Sequence, residues 1–267
     1  MQRDKSFNNN ILFKFVDAVT LIRKKIPTGE YVLDQNENTY SFLIKLFAGN
    51  YVTRKITIPE GMTVNKIIEC LNQEPFLLGE ITDIPSEGSI MPDTYYYKFG
   101  NTRQNIINRM RDEMNKFKRQ VYSSNKTKLN WNEIVILGSL IELEAGHDRD
   151  RPIISSVLHN RLKKGQRLEC CPTIIYALSI NGKPIDRTQI LYKDLYFKSP
   201  YNTYRNKGLP PTPICCPGRA SILAAMKPDN TKYFFYISDI KTKETFYSEN
   251  LEQHNKYKVM LKKRKSH

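Results

Sequence analysis

Residues 141–178 read IELEAGHDRDRPIISSVLHNRLKKGQRLECCPTIIYAL, and the fold assignment depends on this stretch. It continues an apolar run that begins after Asn130. Asn130 and Glu133 have the spacing of a capping box, with asparagine in place of serine or threonine. These features predict a helix over 130–144, so the stretch opens in the last turn of a largely apolar helix.

Glu144 continues the apolar face of this predicted helix. Leu137, Leu140 and Ile141 share its face at helical spacing, and Glu142 points the other way. Burial disfavours an ionised carboxylate, so we expect a raised pKa at Glu144, as a general acid near neutral pH requires. Periodicity leaves a second interpretation open, in which Glu144 lies at a frayed helix end and binds an arginine or backbone N–H groups.

A second helix is predicted next, with Asp148 or Asp150 as its cap and Gly165 at its end. Asn160 and Arg161 fall at the edge of its inward face. An amide there suits a sugar, and a guanidinium suits a carboxylate. The alternative is a helix cap and a surface arginine.

The chain before residue 85 alternates short strand and helix patterns. β-Branched and aromatic residues predict strands over 30–33 and 55–58. Apolar residues at helical spacing predict an amphipathic helix over 63–71. A composition change over 85–88 separates this small α+β module from a more helical remainder.

The remainder is predicted to be mainly helical, with two proline-containing loops. Tyr95, Tyr96 and Tyr97 form a cluster that indicates sheet packing rather than a stacking platform. The other predicted elements are a helix over 102–121, loops over 170–173 and 208–218, a helix over 219–226, a strand over 233–237 buried on both faces, and a basic amphipathic helix over 248–264.

Composition excludes several protein classes. Of the 267 residues, 40% are hydrophobic and 26% charged, which is typical of a globular protein of one or two domains. No apolar stretch approaches the roughly 20 residues of a spanning helix, and the opening MQRDKSFNNNILFKF does not resemble a secretory signal. The histidines show no metal-ligand spacing, and phosphate-loop, dinucleotide and serine-hydrolase motifs are absent, so neither metal nor cofactor is predicted.

The chain is strongly basic, with 42 Lys and Arg against 27 Asp and Glu and a formal charge of +15. Such a surface favours anionic partners: nucleic acid, anionic lipid or an acidic cell-wall glycan. The charge is spread along the chain, so it equally suits a solubility role. No nucleic-acid-binding motif accompanies it, and nucleic acid is therefore not predicted as a partner.

The cysteines form two vicinal pairs and one single residue: Cys170 with Cys171, Cys215 with Cys216, and Cys70. Neighbouring cysteines rarely bridge to each other. A bridge between the two pairs requires that their segments meet, and the alternative is that the cysteines are small buried thiols.

Five strings in this chain resemble, in the same order, motifs of the endolytic murein transglycosylases of the YceG-like family. They are EGSIMPDTYYY (87–97), IELEAGHDRDRP (141–152), SSVLHNRLKKGQRLECCPTIIYAL (155–178), SPYNTYRNKGLPPTPICCPG (199–218) and LEQHN (251–255). The resemblance runs from about residue 28 to 257. It implies an α+β protein with a LysM-like module over 1–85, apparently truncated at its start, and a mixed helical and β catalytic domain over 86–267.

Family resemblance also implies a reaction. These enzymes cut the β-1,4 bond after N-acetylmuramic acid within peptidoglycan strands and leave 1,6-anhydro ends, one role being the termination of nascent strands. One carboxylate serves as acid and then as base, and the matching residue is Glu144, with Glu142 in a supporting role. The residues implied to line or brace the substrate groove are Asn160, Arg161, Glu169, Thr173, Tyr176, Asn202, Tyr204 and Pro210, whereas Asp93 is expected to pin a turn.

Three positions depart from the family pattern. Glu169 and Cys171 replace a glutamine and an aspartate, and Thr245 stands where a histidine is frequent. A second carboxylate could raise the pKa of Glu144 further, while loss of the aspartate could weaken sugar binding. A peptidoglycan-binding scaffold with weakened catalysis, which recruits wall-synthesis partners, is therefore the alternative function.

The resemblance implies a cell-envelope location on the outer side of the cytoplasmic membrane. Its implied partners are peptidoglycan strands, with peptidoglycan synthases as further candidates. The family is membrane-anchored, whereas this chain shows no transmembrane segment and begins inside the LysM-like region, so we expect a missing or lost N-terminus.

Overall fold

The structure is a computed structural model, and it describes residues 29–123, 127–239, 242 and 244–265. These residues form eight α-helices and two small antiparallel sheets, which confirms the α+β class. The helices are α1 Thr39–Ala48, α2 Val64–Gln73, α3 Arg103–Tyr122, α4 Trp131–Glu144, α5 Arg151–Lys163, α6 Cys171–Ile180, α7 Arg219–Met226 and α8 Leu251–Lys265. The strands are β1 Arg54–Thr57, β2 Thr94–Tyr97, β3 Phe235–Ser238 and β4 Thr245–Ser248, and short 3₁₀ helices span Asp148–Asp150, Arg187–Gln189 and Tyr192–Tyr196.

A first hydrophobic core lies under the sheet of β1 and β2. The strands pair antiparallel with Ile56 opposite Tyr95, and the apolar faces of α2 and α3 pack beneath them. The tyrosine cluster therefore belongs to a sheet, as predicted. This core joins residues from both sides of the predicted boundary at 85/86, which stays a prediction.

A second core surrounds α4. Every residue from 134 to 141 is buried, as expected for a helix that is apolar on all sides. A Cβ at Gly138 would lie 3.4 Å from the Cα of Ile222 on α7, so glycine lets these two helices approach closely. Because α4 lies at the centre of this core, the position of its last residue, Glu144, is well defined.

The capping box predicted for α4 is present. The Asn130 side chain accepts from the Glu133 N–H at 3.0 Å, and the Glu133 carboxylate accepts from the Asn130 N–H at 2.8 Å. At α5, Asp150 occupies the N-cap position but makes no capping hydrogen bond with its side chain. The helix before Gly165 is thus confirmed with Asp150 at its N-cap position, although the aspartate side chain makes no capping hydrogen bond.

Three predicted elements need correction. Residues 30–33 form no strand: the Val52 N–H donates to the Glu30 carbonyl, but this pairing does not extend into a ladder. Residues 170–173 are not a loop but the start of α6, since a proline in the first helical turn sacrifices no hydrogen bond. The strand predicted over 233–237 begins at Phe235, and its residues are only half-buried because its sheet has two strands.

All five cysteines are free thiols in the structure, so the two vicinal pairs are not bridged. Cys170, Cys215 and Cys216 are buried, and burial raises the pKa of each of these thiols. The described residues include no helix that combines the length and apolar character needed to cross a membrane. The expectation about the start of the chain falls on residues 1–28, outside the described part.

Candidate active site

Glu144 is the last residue of α4, and only 6% of it is exposed. Its inward orientation confirms the prediction from helical periodicity. Ala145 follows in an extended conformation with its N–H bonded to the Ile141 carbonyl, so the chain leaves the helix directly after the carboxylate. Glu144 therefore ends a rigid, fully packed helix.

The electrostatic neighbours of the Glu144 carboxylate include one thiol and two phenols. Burial, followed by the charge of Glu144, raises the pKa of both Tyr236 and the Cys170 thiol, and these two groups hydrogen-bond to each other. Burial raises the pKa of Tyr204 as well, with smaller contributions from Cys171 and Glu144. The phenols thus stay protonated across the physiological range and can donate hydrogen bonds.

Glu142 faces a different part of the molecule. Its Oε1 accepts from Arg151 Nη2 at 2.7 Å, and its Oε2 accepts from the Gly218 N–H at 2.9 Å. Arg151 in turn donates from Nε to the Ser221 hydroxyl at 2.9 Å. Glu142 therefore joins the end of α4 to the starts of α5 and α7, an arrangement that favours the predicted supporting role.

Asn160 and Arg161 direct their side chains at backbone carbonyls. Asn160 Nδ2 donates to Thr231 and Tyr233, both at 2.9 Å, and Arg161 Nε donates to Phe234 at 2.6 Å. They hold the segment that leads into β3, the strand of Tyr236. These contacts favour bracing over lining, while any contact with substrate stays a prediction.

Glu169 forms an ion pair with Arg161. Arg161 Nη1 donates to the Glu169 carboxylate at 2.8 Å and also to the carbonyls of Arg167 and Leu168. Glu169 has a φ of 57°, the left-handed region that glycine prefers. The ion pair thus fixes the strained residue that precedes Cys170.

Thr173 joins the start of α6 to the loop after residue 199. Its hydroxyl donates to the Cys170 carbonyl at 2.6 Å and lies 3.0 Å from the Thr203 hydroxyl, which accepts from the Cys170 N–H at 2.9 Å. All three residues are buried. This network fixes the backbone that carries the Cys170 thiol.

Asn202 is fully buried and organises the same loop. Its Nδ2 donates to the carbonyls of Leu195 and Phe197 at 3.0 and 2.8 Å, and its Oδ1 accepts from the Tyr204 N–H at 2.9 Å. The Tyr204 hydroxyl lies 3.5 Å from Cys171 Sγ. Asn202 thereby positions Tyr204, whose pKa the charge of Glu144 also raises, while contact of either residue with substrate stays a prediction.

Tyr176 and Asp93 hold loops against the rest of the site. The ring of Tyr176 meets that of Tyr201 edge-on, with centroids 4.9 Å apart. Asp93 accepts from Arg219 Nη1 at 2.7 Å and from the Thr94 N–H at 2.7 Å, and the Arg219 guanidinium lowers the pKa of its carboxyl. Asp93 thus pins a turn, as expected, and also the start of α7.

Thr245, the third departure, lies on β4. Its hydroxyl donates to Asp150 Oδ2 at 3.2 Å and lies 3.1 Å from the Ser238 hydroxyl. The threonine therefore links the second sheet to the 3₁₀ turn before α5. Pro210 is buried within the proline-rich loop.

Sequence reasoning missed two residues. Tyr236 lies in a predicted strand, but no signal in the sequence indicates that it is an electrostatic neighbour of Glu144. Glu87 begins a quoted motif without an assigned role; its Oε1 accepts from the Val64 N–H at 3.0 Å, and burial raises the pKa of its carboxyl to about 7. A Cβ on the adjacent Gly88 would meet Pro213 at 2.7 Å, so this motif packs tightly against the proline-rich loop.

The arrangement can transfer a proton to or from a group that reaches Glu144. A buried carboxyl on a rigid helix end, next to phenols that can donate hydrogen bonds, is suited to general acid–base chemistry. Within the ranges that the structure describes, no group of three His, Cys, Asp or Glu side chains could hold a metal ion.

This chain is similar to known proteins over most of its length. The profile of the YceG-like family matches residues 1–259. An endolytic murein transglycosylase of Bacillus subtilis is 40% identical over 177 residues, which cover 65% of this chain and 47% of that protein. One of Streptococcus pneumoniae is 26% identical over 274 aligned positions, which cover 86% of this chain and 50% of that protein. The chain thus spans about half the length of these curated relatives.

A solved structure has the same fold. The 2.6 Å crystal structure of a YceG-like protein from Listeria monocytogenes superposes with a TM-score of 0.62 at 30% identity. The superposition covers 94% of this chain and 91% of that one, so the likeness extends over both of the cores described above.

Proposed function

This chain belongs to the YceG-like family, and on that premise we propose that it is an endolytic lytic transglycosylase of peptidoglycan. It cleaves the β-1,4 bond between N-acetylmuramic acid and N-acetylglucosamine inside glycan strands and leaves 1,6-anhydro-muramic ends. The observation that supports this proposal is the buried Glu144 carboxyl at the end of α4, beside Cys170, Tyr204 and Tyr236.

In the first step Glu144 acts as general acid. Its proton passes to the glycosidic oxygen as the bond from that oxygen to C1 of the muramic residue breaks. The released N-acetylglucosamine end keeps the proton as a hydroxyl. Burial of the Glu144 carboxyl favours this step, because few water molecules can compete with the substrate for the proton.

In the second step the ionised Glu144 acts as base. It takes the proton of the muramic 6-hydroxyl, whose oxygen forms the new bond to C1 and closes the anhydro ring. The carboxyl is thereby protonated again, and no water is consumed. One carboxylate suffices, in contrast to the carboxylate pair of ordinary glycosidases.

The surrounding residues have orienting roles in this proposal. Tyr204 and Tyr236 are hydrogen-bond donors beside the carboxylate and stabilise its ionised form between the two steps. Asn202 holds the Tyr204 backbone, while Asn160 and Arg161 hold the segment before Tyr236. Replacement of Asn202, Asn160 or Arg161 would lower turnover, because the phenols would no longer be held in position.

The test is mass spectrometry of peptidoglycan digested by the wild type and by Glu144→Gln. We expect internal fragments with 1,6-anhydro ends from the wild type only. Glu69→Gln is the matched control, since Glu69 is an exposed glutamate on α2, and it is expected to retain the wild-type products. A fully active Glu144→Gln variant would exclude Glu144 as the acid, and ordinary reducing ends would show a hydrolase.

The second candidate function is a peptidoglycan-binding scaffold with weakened catalysis. It is favoured by Cys171, which places a thiol rather than a carboxylate against the Tyr204 hydroxyl, at 3.5 Å. This candidate predicts that the folded wild type binds glycan strands and releases no fragments. The digestion described above therefore decides between the two functions.

The proposal places the protein at the cell envelope, on the outer side of the cytoplasmic membrane where its substrate lies. Peptidoglycan synthases are the partners to test, because an enzyme that ends nascent strands must meet them near their synthesis. Co-purification from membranes after cross-linking would test this association, and recovery without any synthase would contradict it.

A further inference from the structure

Two tyrosines project from the segment between α6 and the Asn202 loop. Tyr192 and Tyr196, on the 3₁₀ helix Tyr192–Tyr196, are 75% and 56% exposed. Leu191, which directly precedes this 3₁₀ helix, is 55% exposed. Three large, exposed side chains on one short segment indicate a binding surface rather than isolated exposed residues.

The two tyrosine rings support each other. Their centroids lie 5.5 Å apart at an interplanar angle of 69°, and the Tyr196 hydroxyl donates to the Tyr192 hydroxyl at 3.0 Å. This edge-on pairing restricts both side chains before any ligand arrives. A preformed aromatic pair loses less conformational entropy on binding than two independent side chains would.

The pair is rigidly connected to the candidate active site. Asn202 donates to the carbonyls of Leu195 and Phe197, which flank Tyr196, and Arg205 Nη1 donates to the Tyr196 carbonyl at 3.2 Å. The same Asn202 side chain accepts from the N–H of Tyr204, which lies beside Glu144. The buried Asn202 amide therefore positions both the aromatic pair and Tyr204.

We propose that Tyr192 and Tyr196 form an accessory glycan subsite that binds sugar rings of the strand outside the cleaved linkage. This inference rests on the proposed function, because an enzyme that cuts inside a strand must hold a polymer that continues beyond the reacting bond. An aromatic face matches the C–H face of a pyranose ring, and the phenol hydroxyls match its hydroxyl groups. The occupant is thus a stretch of β-1,4-linked amino sugars of the same glycan strand.

The experiment measures the affinity of purified glycan strands of defined length for a non-cleaving background, Glu144→Gln. Tyr192→Ala with Tyr196→Ala in that background should weaken binding of long strands about tenfold. The higher affinity for long strands than for short ones should also disappear. A general loss of structure would instead weaken the binding of strands of every length. Tyr192→Phe keeps the ring and should recover most of the affinity.

Tyr40→Ala is the matched control, because Tyr40 on α1 is also 75% exposed and belongs to a different part of the molecule. Unchanged affinity in the double alanine variant would overturn the subsite, as would an equal loss in Tyr40→Ala or no strand binding by the Glu144→Gln background. Thermal unfolding of each variant identifies a folding defect.

The same variants separate the two proposals. A wild type that fails to cleave peptidoglycan would overturn the proposed function, while the binding measurement would still decide the subsite. Cleavage by the wild type with unchanged strand affinity of the tyrosine variant would overturn only the subsite.

Discussion

The two sides of the α4 end present carboxylates to opposite surroundings. On one side Glu142 meets the guanidinium of Arg151 and the N–H of Gly218. On the other side Glu144, two residues further, has the Cys170 thiol and the phenols of Tyr204 and Tyr236 among its neighbours. We call these the brace side and the chemical side, after Glu142 and Glu144 respectively.

The difference shows how one helix end can serve structure and chemistry together. Both carboxylate oxygens of Glu142 accept hydrogen bonds from the protein, so this side chain is engaged in holding the helix end. Glu144 has a thiol and two phenols among its neighbours, and such surroundings suit general acid–base chemistry. The brace side fixes the helix end so that the chemical side has a constant geometry.

The largest effect is expected on turnover from the chemical side. Glu144→Gln should lower strand cleavage by about 10³-fold or more, because the amide can neither donate nor accept the transferred proton. Its unfolding midpoint should change little. Initial rates of anhydro-end formation, together with urea unfolding, would measure both quantities.

Glu142→Gln is the comparison variant for this prediction. It should retain more turnover than Glu144→Gln but lose stability, since an amide cannot neutralise Arg151. Equal loss of turnover in both variants with unchanged stability would break the distinction between the two sides.

The second effect is a loss of folding stability on the brace side. Glu142→Ala removes the acceptor of two hydrogen bonds and leaves Arg151, which has 10% of its side chain exposed, with the more exposed Asp148 and Glu60. We expect a decrease of about 3 kcal/mol in the free energy of unfolding. Equilibrium unfolding in urea measures it.

A matched double variant sharpens this measurement. Glu142→Leu with Arg151→Met replaces the ion pair by apolar groups and should recover most of the lost stability. A loss below about 1 kcal/mol in Glu142→Ala would mean that Asp148 and Glu60 are sufficient partners for Arg151.

The chemical side could be predicted from the sequence only in part. Helical periodicity is a local property, and it correctly turned Glu144 inward and Glu142 away. Cys170, Tyr204 and Tyr236 come from three separate segments, so their convergence depends on tertiary packing that no spacing encodes. The family resemblance indicated the segments that carry Cys170 and Tyr204 but not the segment that carries Tyr236.

The same distinction between local signals and tertiary packing explains which fold predictions are correct and which are wrong. Helices such as α2 and α7 were predicted closely, because capping and periodicity act within one segment. The strand predicted over 30–33 is wrong because β-branched residues form a strand only where a partner completes the ladder. The loop predicted over 170–173 is wrong because a proline such as Pro172 is compatible with the first turn of a helix.

The third effect is expected at Asn202, which acts on the chemical side through the position of Tyr204. Asn202→Ala removes the donors to the Leu195 and Phe197 carbonyls and the acceptor of the Tyr204 N–H. We expect about 2 kcal/mol less stability and a decrease in turnover, because the Tyr204 loop loses its anchor. Urea unfolding and cleavage rates measure the two losses.

Asn202→Asp separates these contributions. The aspartate keeps an oxygen for the Tyr204 N–H but cannot donate to the two carbonyls. If it behaves like the wild type in stability, the donors contribute nothing, and the loop is held by other contacts such as Thr173 with Thr203.

The smallest effect concerns a third carboxylate, Glu87, which accepts from the Val64 N–H and lies 3.7 Å from the Cys216 thiol. Burial raises its pKa from the ordinary 4.5 to about 7, so the folded protein binds this proton more tightly than the unfolded chain. The stabilisation from the protonated form is complete below the unfolded pKa and is lost as the pH rises through about 7. Glu87→Gln, which stays neutral and keeps an oxygen for the Val64 N–H, should remove this loss. At pH 8 we expect it to be about 1–2 kcal/mol more stable relative to the wild type than at pH 5.

Unfolding curves of the wild type and Glu87→Gln between pH 4 and pH 8 test this sign directly. Glu69→Gln serves as control, because an exposed glutamate should alter stability equally at both ends of the range. A difference between wild type and Glu87→Gln that does not vary with pH would mean that Glu87 is ionised in the folded protein. Its contact with the start of α2 would then resemble the brace side, where a charged carboxylate holds a neighbouring N–H.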